Sequence, residues 1–281
     1  AVGGVVRIIN GCKSNYGEVE EIDLPKNPVV LFQIVEYFRA FLFGRVGWEA
    51  LNMLLVISGA FGMFHKRSVI EAGGYRTDTV GEDMELITRL HRTMLKQKKK
   101  YHISFIPEPV CWTEAPGSLK ILSRQRNRWH RGLLESIFMN KGMLFNPRYG
   151  RIGLFAFPFA LVIEGLGAII EYLGYVSLAF SLYLGTVDLL FAAAFLSAAV
   201  LLGVVISTSA LLVEEMTYKR YPSLKMVSVL FLFGFLENFG YRQLNAWWRF
   251  KATFDYISGK KSWGEMTRTG FKKNTENKGT P

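Results

Sequence analysis

The sequence predicts an α/β region followed by a helical membrane region, and three observations support this division. Of the 281 residues, 50% are apolar and 20% are charged, which excludes an intrinsically disordered chain. Residues 152–213 contain no Lys or Arg, although the whole chain has 34 and a net charge of +11, and such a gap is typical of membrane segments. Residues 1–150 instead alternate short β-branched runs with longer amphipathic ones. We therefore expect an α/β region over 1–150, transmembrane or interfacial helices over 151–241, and a basic tail over 242–281.

Periodicity and chain breakers place the elements of the first region. Strands are expected where β-branched residues cluster, at 5–9, at 54–57, and as two short pieces of 101–113 that Pro107 and Pro109 interrupt. Helices are expected where apolar residues recur every three or four positions, at 30–43, at 84–94, and in a stretch for which Ser118 is the N-cap.

Two apolar stretches, 159–184 and 189–213, are each long enough to cross a bilayer core of about 30 Å as a helix. Residues 185–188 form the turn between them. Glu164 and Glu171 lie on nearly one face of the first helix, so we expect them to point toward protein or a water-lined passage rather than lipid. Alternatively, the first stretch lies partly in the membrane interface.

The charge distribution predicts the sidedness. Residues 242–278 hold nine Lys or Arg, which places this tail in the cytosol by the positive-inside rule. If residues 1–150 are cytosolic too, the number of crossings is even. The shorter third stretch, 224–239, is then re-entrant or interfacial, unless the first region itself crosses twice. We expect an integral protein of the inner or cytoplasmic membrane.

An acidic step at a helix start is the first candidate for chemistry. Glu82 and Asp83 come immediately before Met84. Carboxylates suit a helix N-terminus because of its free backbone N–H groups and its dipole, so an alternative makes both plain capping residues.

A second constellation lies in the helix after Ser118. Gln125, Arg128 and Trp129 stand at i, i+3 and i+4, on one helical face. A guanidinium grips a diphosphate with two parallel hydrogen bonds, an amide bonds hydroxyls or phosphate, and an indole offers a flat platform to a sugar ring. The alternative is a basic helix against anionic lipid, with Trp129 as an interfacial aromatic. Its other basic residues are Arg124, Arg126, His130 and Arg131.

Three features follow one another in the chain: Glu82-Asp83, then Gln125-x-x-Arg128-Trp129, then membrane helices. In this order the chain resembles the membrane-embedded family 2 glycosyltransferases, which include cellulose, hyaluronan, chitin and poly-N-acetylglucosamine synthases. The resemblance implies the second part of a GT-A-like nucleotide-sugar transferase domain, followed by an α-helical transmembrane region. It implies Asp83 as the general base within its acidic step, Gln125 and Arg128 at the donor diphosphate, and Trp129 under the acceptor. The implied reaction is inverting transfer of a sugar from a UDP-sugar to an acceptor hydroxyl, in polysaccharide synthesis at the membrane.

Two further segments share this resemblance. Ser58, Gly59 and Ala60 are similar to the family's acceptor-side segment, where small residues let a sugar approach the backbone. The alternative for them is a strand with a glycine bulge. Trp263 and Arg268 belong to a segment similar to one that closes over bound nucleotide in hyaluronan and chitin synthases.

The resemblance covers only the later part of the family's pattern. The family binds a divalent cation, Mg²⁺ or Mn²⁺, through an Asp-x-Asp motif, and no two aspartates of this chain stand two apart. They are Asp23, Asp78, Asp83, Asp188 and Asp255. We therefore expect a C-terminal fragment or a split subunit. Its partner would be the missing N-terminal half, which would carry the cation ligands and a uridine-binding Asp and on which activity would depend.

A non-enzymatic hypothesis stands beside this one. The chain would then be a membrane anchor or channel-like protein whose basic cytosolic surface binds anionic lipid. Nucleic acid is not an expected partner, because the basic residues interleave with acids and the sequence shows no nucleic-acid module. Under the enzymatic hypothesis the partners are the nucleotide-sugar donor, a sugar or polysaccharide acceptor and the lipid bilayer.

Overall fold

The computed structural model describes residues 1–15 and 18–260 of the protein. The strands are β1 (Val2–Ile8), β2 (Lys13–Asn15), β3 (Glu18–Glu21), β4 (Gly62–Met63) and β5 (Ser104–Thr113). The α-helices are α1 (Pro28–Tyr37), α2 (Val46–Ala50), α3 (Lys66–Glu71), α4 (Glu82–Lys96), α5 (Leu119–Met139), α6 (Phe157–Phe159), α7 (Gly167–Tyr183), α8 (Leu189–Thr217), α9 (Leu224–Leu236) and α10 (Tyr241–Ile257). Segments of π-helix cover Phe38–Arg45, Ile152–Ala156 and Ala160–Gly165, and 3₁₀ turns cover Lys141–Met143 and Pro147–Tyr149.

The main sheet has the strand order β4-β1-β5, with β1 parallel to β5 and antiparallel to β4. The strand predicted at 5–9 is confirmed as β1. The prediction of two short strands within 101–113 is wrong, because β5 is continuous. Its pairing with β1 shifts register at Val5, which faces Pro109, so a bulge absorbs the prolines without ending the strand.

The strand predicted at 54–57 is also wrong. The segment joins no sheet, although Leu54, Leu55 and Ile57 are buried. Instead, the Leu54 carbonyl accepts a hydrogen bond from His91 Nε2 at 2.8 Å, and the Tyr101 hydroxyl lies 2.6 Å from His91 Nδ1. Burial lowers the pKa of His91 to about 4, so the imidazole is neutral at neutral pH and fixes this segment to α4.

The three helices predicted in the first region are confirmed. Asn27 caps α1 by accepting a hydrogen bond from Val29 N at 2.9 Å, and the helix continues into the π-helical segment Phe38–Arg45. The second prediction corresponds to α4. The third begins after Ser118, whose Oγ accepts a hydrogen bond from Ile121 N at 3.4 Å.

Two helices of the described residues are long and apolar enough to cross a membrane, Ile152–Tyr183 and Leu189–Thr217. They match the two predicted apolar stretches, with the first starting earlier and the second ending later. Leu224–Leu236 and Tyr241–Ile257 pass the same test only as a pair, bent by 55°, so they form either a broken span or a re-entrant loop.

The segment predicted as a tail begins with a packed helix. Helix α10 lies along α5, where Asn127 donates a hydrogen bond to Asp255 at 2.7 Å and the rings of Phe138 and Tyr256 stack at 5.7 Å. The basic composition of residues 242–257 did not reveal this contact, because the buried residues of this stretch, Ala246, Ala252 and Thr253, are not its basic ones.

Buried polar contacts join the sheet region to the long helices. Arg7 of β1 pairs with Glu214 of α8 at 2.5 Å, and each side chain is only 3% exposed. Arg39 donates to Ser207 at 2.8 Å and also pairs with Glu237, which follows α9. Breaking a buried pair from one side leaves an uncompensated charge, so these contacts fix the helices against the sheet. The two regions also share one hydrophobic core.

Candidate active site

A cavity of about 1770 Å³ lies between the sheet region and the long helices. Eight of the residues predicted to act line it, namely Ser58, Gly59, Ala60, Glu82, Asp83, Gln125, Arg128 and Trp129. Residues far apart in the sequence are thus brought to one site. The remaining two predicted residues, Trp263 and Arg268, lie outside the residues that the structure describes.

The Asp83 carboxylate is held in one orientation at the start of α4. Its Oδ2 accepts a hydrogen bond from Gly59 N at 2.8 Å, and its Oδ1 accepts one from Met84 N at 2.8 Å. One oxygen therefore joins the acidic step to the 58–60 segment. Asp83 therefore accepts an N–H group at the start of α4, as in the capping alternative, and also one from outside the helix, at Gly59.

The 58–60 segment is a turn, not the alternative strand with a bulge. Phe61 N donates to the Ser58 carbonyl at 3.0 Å, and Ala60 N lies 3.4 Å from Ser58 Oγ. A Cβ at Gly59 would lie 3.4 Å from Asp83 Oδ2, so the missing side chain leaves the carboxylate close to the backbone. The turn thereby presents exposed backbone beside Asp83, as the predicted acceptor-side role requires.

The predicted face of α5 borders the cavity, with Gln125 buried and the Trp129 ring 41% exposed. Arg126, which the sequence suggested only as part of a basic surface, turns inward. It pairs with Glu36 at 2.7 Å and lies over the Trp129 ring at 4.4 Å. Arg126 and Arg131 are 4% and 3% exposed, so they are not presented to a lipid surface.

The contact between α4 and α5 depends on two glycines that sequence reasoning missed. A Cβ at Gly81 would lie 2.6 Å from the Gly132 Cα, so any side chain there would push the helices apart. Glu135 fixes the same junction, accepting hydrogen bonds from Thr79 Oγ1 at 2.6 Å and Val80 N at 2.8 Å. The only sequence signal was a glycine inside a predicted helix.

His130 fixes α5 to α10. Its Nε2 lies 3.0 Å from Thr253 Oγ1, and Arg249 Nε donates to its Nδ1 at 3.4 Å. Burial, and secondarily the charge of Arg249, lowers the pKa of His130 to about 3. The imidazole therefore stays neutral at neutral pH, and it connects the two helices at the border of the cavity.

The cavity continues toward the first long helix. Glu164 and Glu171 both line it, and their orientation away from lipid stays a prediction. Glu171 accepts a hydrogen bond from the Tyr175 hydroxyl at 2.8 Å, and Arg249 donates to the Glu164 carbonyl. The site thus extends from Asp83 to the apolar helices.

The described residues do not fit a divalent cation. Residues 1–15 and 18–260 contain no group of three or more His, Cys, Asp or Glu that could hold a metal ion. Both oxygens of Asp83 already accept backbone N–H groups.

Comparisons with known proteins identify relatives of the chain. The family model of glycosyl transferase family group 2 matches residues 22–235. A poly-β-1,6-N-acetyl-D-glucosamine synthase of Staphylococcus aureus (strain COL) is 36% identical over 76 residues, which are 27% of this chain and 17% of the relative. A Bacillus subtilis (strain 168) protein named "Probable glycosyltransferase YdaM" is 32% identical over 109 residues, which are 38% of this chain and 24% of the relative. The chain thus spans about a quarter or less of the curated relatives it matches. Since the family model covers most of the chain, the protein belongs to glycosyl transferase family group 2.

Proposed function

We propose that the protein transfers a sugar from a UDP-sugar to an acceptor hydroxyl, with inversion at the anomeric carbon, in polysaccharide synthesis at a membrane. The observation that carries this proposal is the Asp83 carboxylate. It is oriented by Gly59 and faces the cavity that Gln125, Arg128 and Trp129 also line. One cavity thereby contains the proposed base, the side chains proposed to bind the diphosphate and the aromatic ring proposed to stack on a sugar.

In the proposed reaction, Asp83 takes the proton of the acceptor hydroxyl as its oxygen bonds to the anomeric carbon. The bond from that carbon to the diphosphate breaks at the same time, and the diphosphate keeps the electron pair. Arg128 and Gln125 stabilise the charge that develops on the leaving group. Attack opposite the leaving group inverts the anomeric carbon.

The name of one relative and the size of the cavity bear on the nature of the product. The S. aureus relative is named a poly-β-1,6-N-acetyl-D-glucosamine synthase, which favours a growing polysaccharide as acceptor. The cavity volume of about 1770 Å³ exceeds the roughly 300–1,000 Å³ of ordinary small-molecule sites, so it has room for more than one sugar ring.

The whole enzyme is part of the proposal. The resemblance to the family implies Mg²⁺ or Mn²⁺ and an N-terminal half of the catalytic domain that binds it. We propose that this half belongs to the working enzyme. No step described above is assigned to the cation, since the described residues form no site for it.

We also propose that the α/β region and the C-terminal tail are both cytosolic. A reporter inserted near Lys98 and one fused after Pro281 should then label from the same side of the membrane, and one at Gly185 from the other. Labelling of Lys98 and Pro281 from opposite sides would indicate an odd number of crossings and contradict the proposed sidedness.

Nucleotide binding separates the enzyme from a lipid-binding anchor. Arg128→Ala should weaken UDP binding to the purified protein by about 10-fold, because a charge-assisted hydrogen bond to phosphate is lost. Arg124→Ala removes an exposed arginine of the same helix that does not line the cavity, so it should leave the affinity unchanged. Equal UDP affinity in both variants would contradict the diphosphate role and favour the anchor.

A further inference from the structure

Arg45 is a cavity-lining residue to which the reaction described above gives no role. It ends the π-helical segment Phe38–Arg45, and its guanidinium carbon lies 3.9 Å from the centre of the Phe41 ring. Its Nη1 is buried and has no hydrogen-bond partner among the described residues. π-Helical turns recur at functional sites, where they re-aim side chains.

Two neighbouring arginines contrast with Arg45. Arg39, on the same segment, pairs with Glu237, and Arg126 pairs with Glu36. Those two arginines connect elements of the fold, whereas the buried Nη1 of Arg45 connects none. A buried donor left without a partner costs about 1–3 kcal/mol, and more when charged, so a ligand that supplies an oxygen would relieve this cost.

Aromatic side chains lie between Arg45 and Trp129. Tyr37, Phe41 and Arg45 follow one another at four-residue steps, and the Tyr37 ring lies 5.1 Å from Phe41 and 6.5 Å from Trp129. A row of rings thus connects the exposed Trp129 indole to the Arg45 guanidinium.

The negative charges of two acids raise the pKa of Arg45, Asp83 more strongly and Glu164 less. Burial lowers the pKa of Arg45 to about 10 despite these acids, so the guanidinium remains charged at neutral pH. Two carboxylates leave little positive field for a diphosphate. They do not hinder an uncharged sugar oxygen, which accepts N–H hydrogen bonds.

We propose that Arg45 positions the acceptor sugar, donating hydrogen bonds to its oxygen atoms while Trp129 supports the ring and Asp83 receives the proton. This inference rests on the proposed glycosyl transfer and adds a second helix to the acceptor site. The donor diphosphate stays with Gln125 and Arg128 on α5. Arg45 does not exchange a proton with substrate, so it is a positioning residue.

The test compares acceptor and donor parameters in the purified, transfer-competent enzyme, with a short β-1,6-linked N-acetylglucosamine oligosaccharide as acceptor probe and UDP as donor-site probe. Arg45→Gln should raise the acceptor concentration for half-maximal transfer by about 10-fold or more, because charge-assisted hydrogen bonds are lost. UDP affinity should stay within about 2-fold of the unaltered protein, since the diphosphate contacts remain. Arg45→Lys keeps the charge without the planar fork and should fall between the two. Arg92→Gln, at a half-buried arginine of α4 away from the cavity, is the matched control and should change neither value.

Two results would overturn the assignment of Arg45 itself. Unchanged acceptor half-saturation in folded Arg45→Gln removes the role, and an equal loss of UDP affinity moves Arg45 to the donor site. If Arg45→Gln does not fold, the same comparison in Arg45→Lys decides. If the unaltered protein neither binds UDP nor transfers sugar, the proposed function fails and this inference fails with it. Normal transfer with a normal Arg45→Gln variant overturns this inference alone.

Discussion

Asp83→Asn is expected to lower sugar transfer per folded molecule by about 10²-fold or more, since a positioned general base contributes about 10²–10⁴-fold to a rate. The amide oxygen of Asn can still accept the hydrogen bond from Gly59 N, so the 58–60 turn should keep its position, while the bond from Met84 N is lost. UDP affinity should change little, because the proposed diphosphate contacts lie on α5. Turnover and UDP binding are measured on the same preparation.

A control for this substitution exists a few residues upstream. Asp78→Asn also removes one carboxylate, but Asp78 is exposed, pairs with Arg76 at 2.5 Å and does not line the cavity. It should leave transfer unchanged. Loss of UDP binding in a folded Asp83→Asn protein would mean that Asp83 supports the donor site and is not the base.

Trp129→Ala is expected to lower transfer by about 30-fold or more, because truncating a binding hot spot, a role in which Trp is enriched, costs about 2 kcal/mol or more. Arg126 lies over one face of the indole, which leaves the sugar the rest of a ring that is 41% exposed. Trp129→Phe keeps an aromatic surface and should retain part of the activity. UDP affinity should barely change in either variant.

The lipid-anchor hypothesis makes a different prediction for the same residue. An interfacial Trp129 would matter for membrane insertion or stability, so transfer would fall only in proportion to the amount of folded protein. Unchanged transfer per folded molecule in Trp129→Ala would therefore remove the acceptor role.

The sequence was sufficient to predict those residues of the candidate site whose signal is local. Gln125, Arg128 and Trp129 share a helical face by spacing alone, and Glu82-Asp83 stands next to a periodic apolar run. Such patterns lie within one or two helical turns, so they can be recognised without knowledge of the tertiary structure. The long apolar helices were predictable for the same reason, because length and composition decide them.

The failed predictions concern contacts between distant residues. The apolar run at 54–57, predicted as a strand, is largely buried, but its carbonyl at Leu54 bonds to the His91 side chain and not to a strand. Burial favours β-branched residues whether or not a sheet partner is present, so composition could not separate the two cases.

Tertiary packing also decided which basic residues of α5 face inward. Arg126 is buried because Glu36, ninety positions earlier in the chain, supplies its partner. The close contact between Gly81 and Gly132 also depends on tertiary packing, since nothing in the sequence around either glycine identifies the other. Arg45 became a candidate only once its place in the cavity and the buried Nη1 were visible.

In the proposed mechanism, one cavity contains a proton acceptor, Asp83, and separate side chains that bind the diphosphate, Gln125 and Arg128. The most direct test titrates UDP and measures sugar transfer side by side in Asp83→Asn and Arg128→Ala. The account predicts that Asp83→Asn keeps UDP affinity and loses transfer, whereas Arg128→Ala loses about 10-fold in UDP affinity. Equal UDP affinity and equal transfer per folded molecule in both variants and the unaltered protein would contradict it.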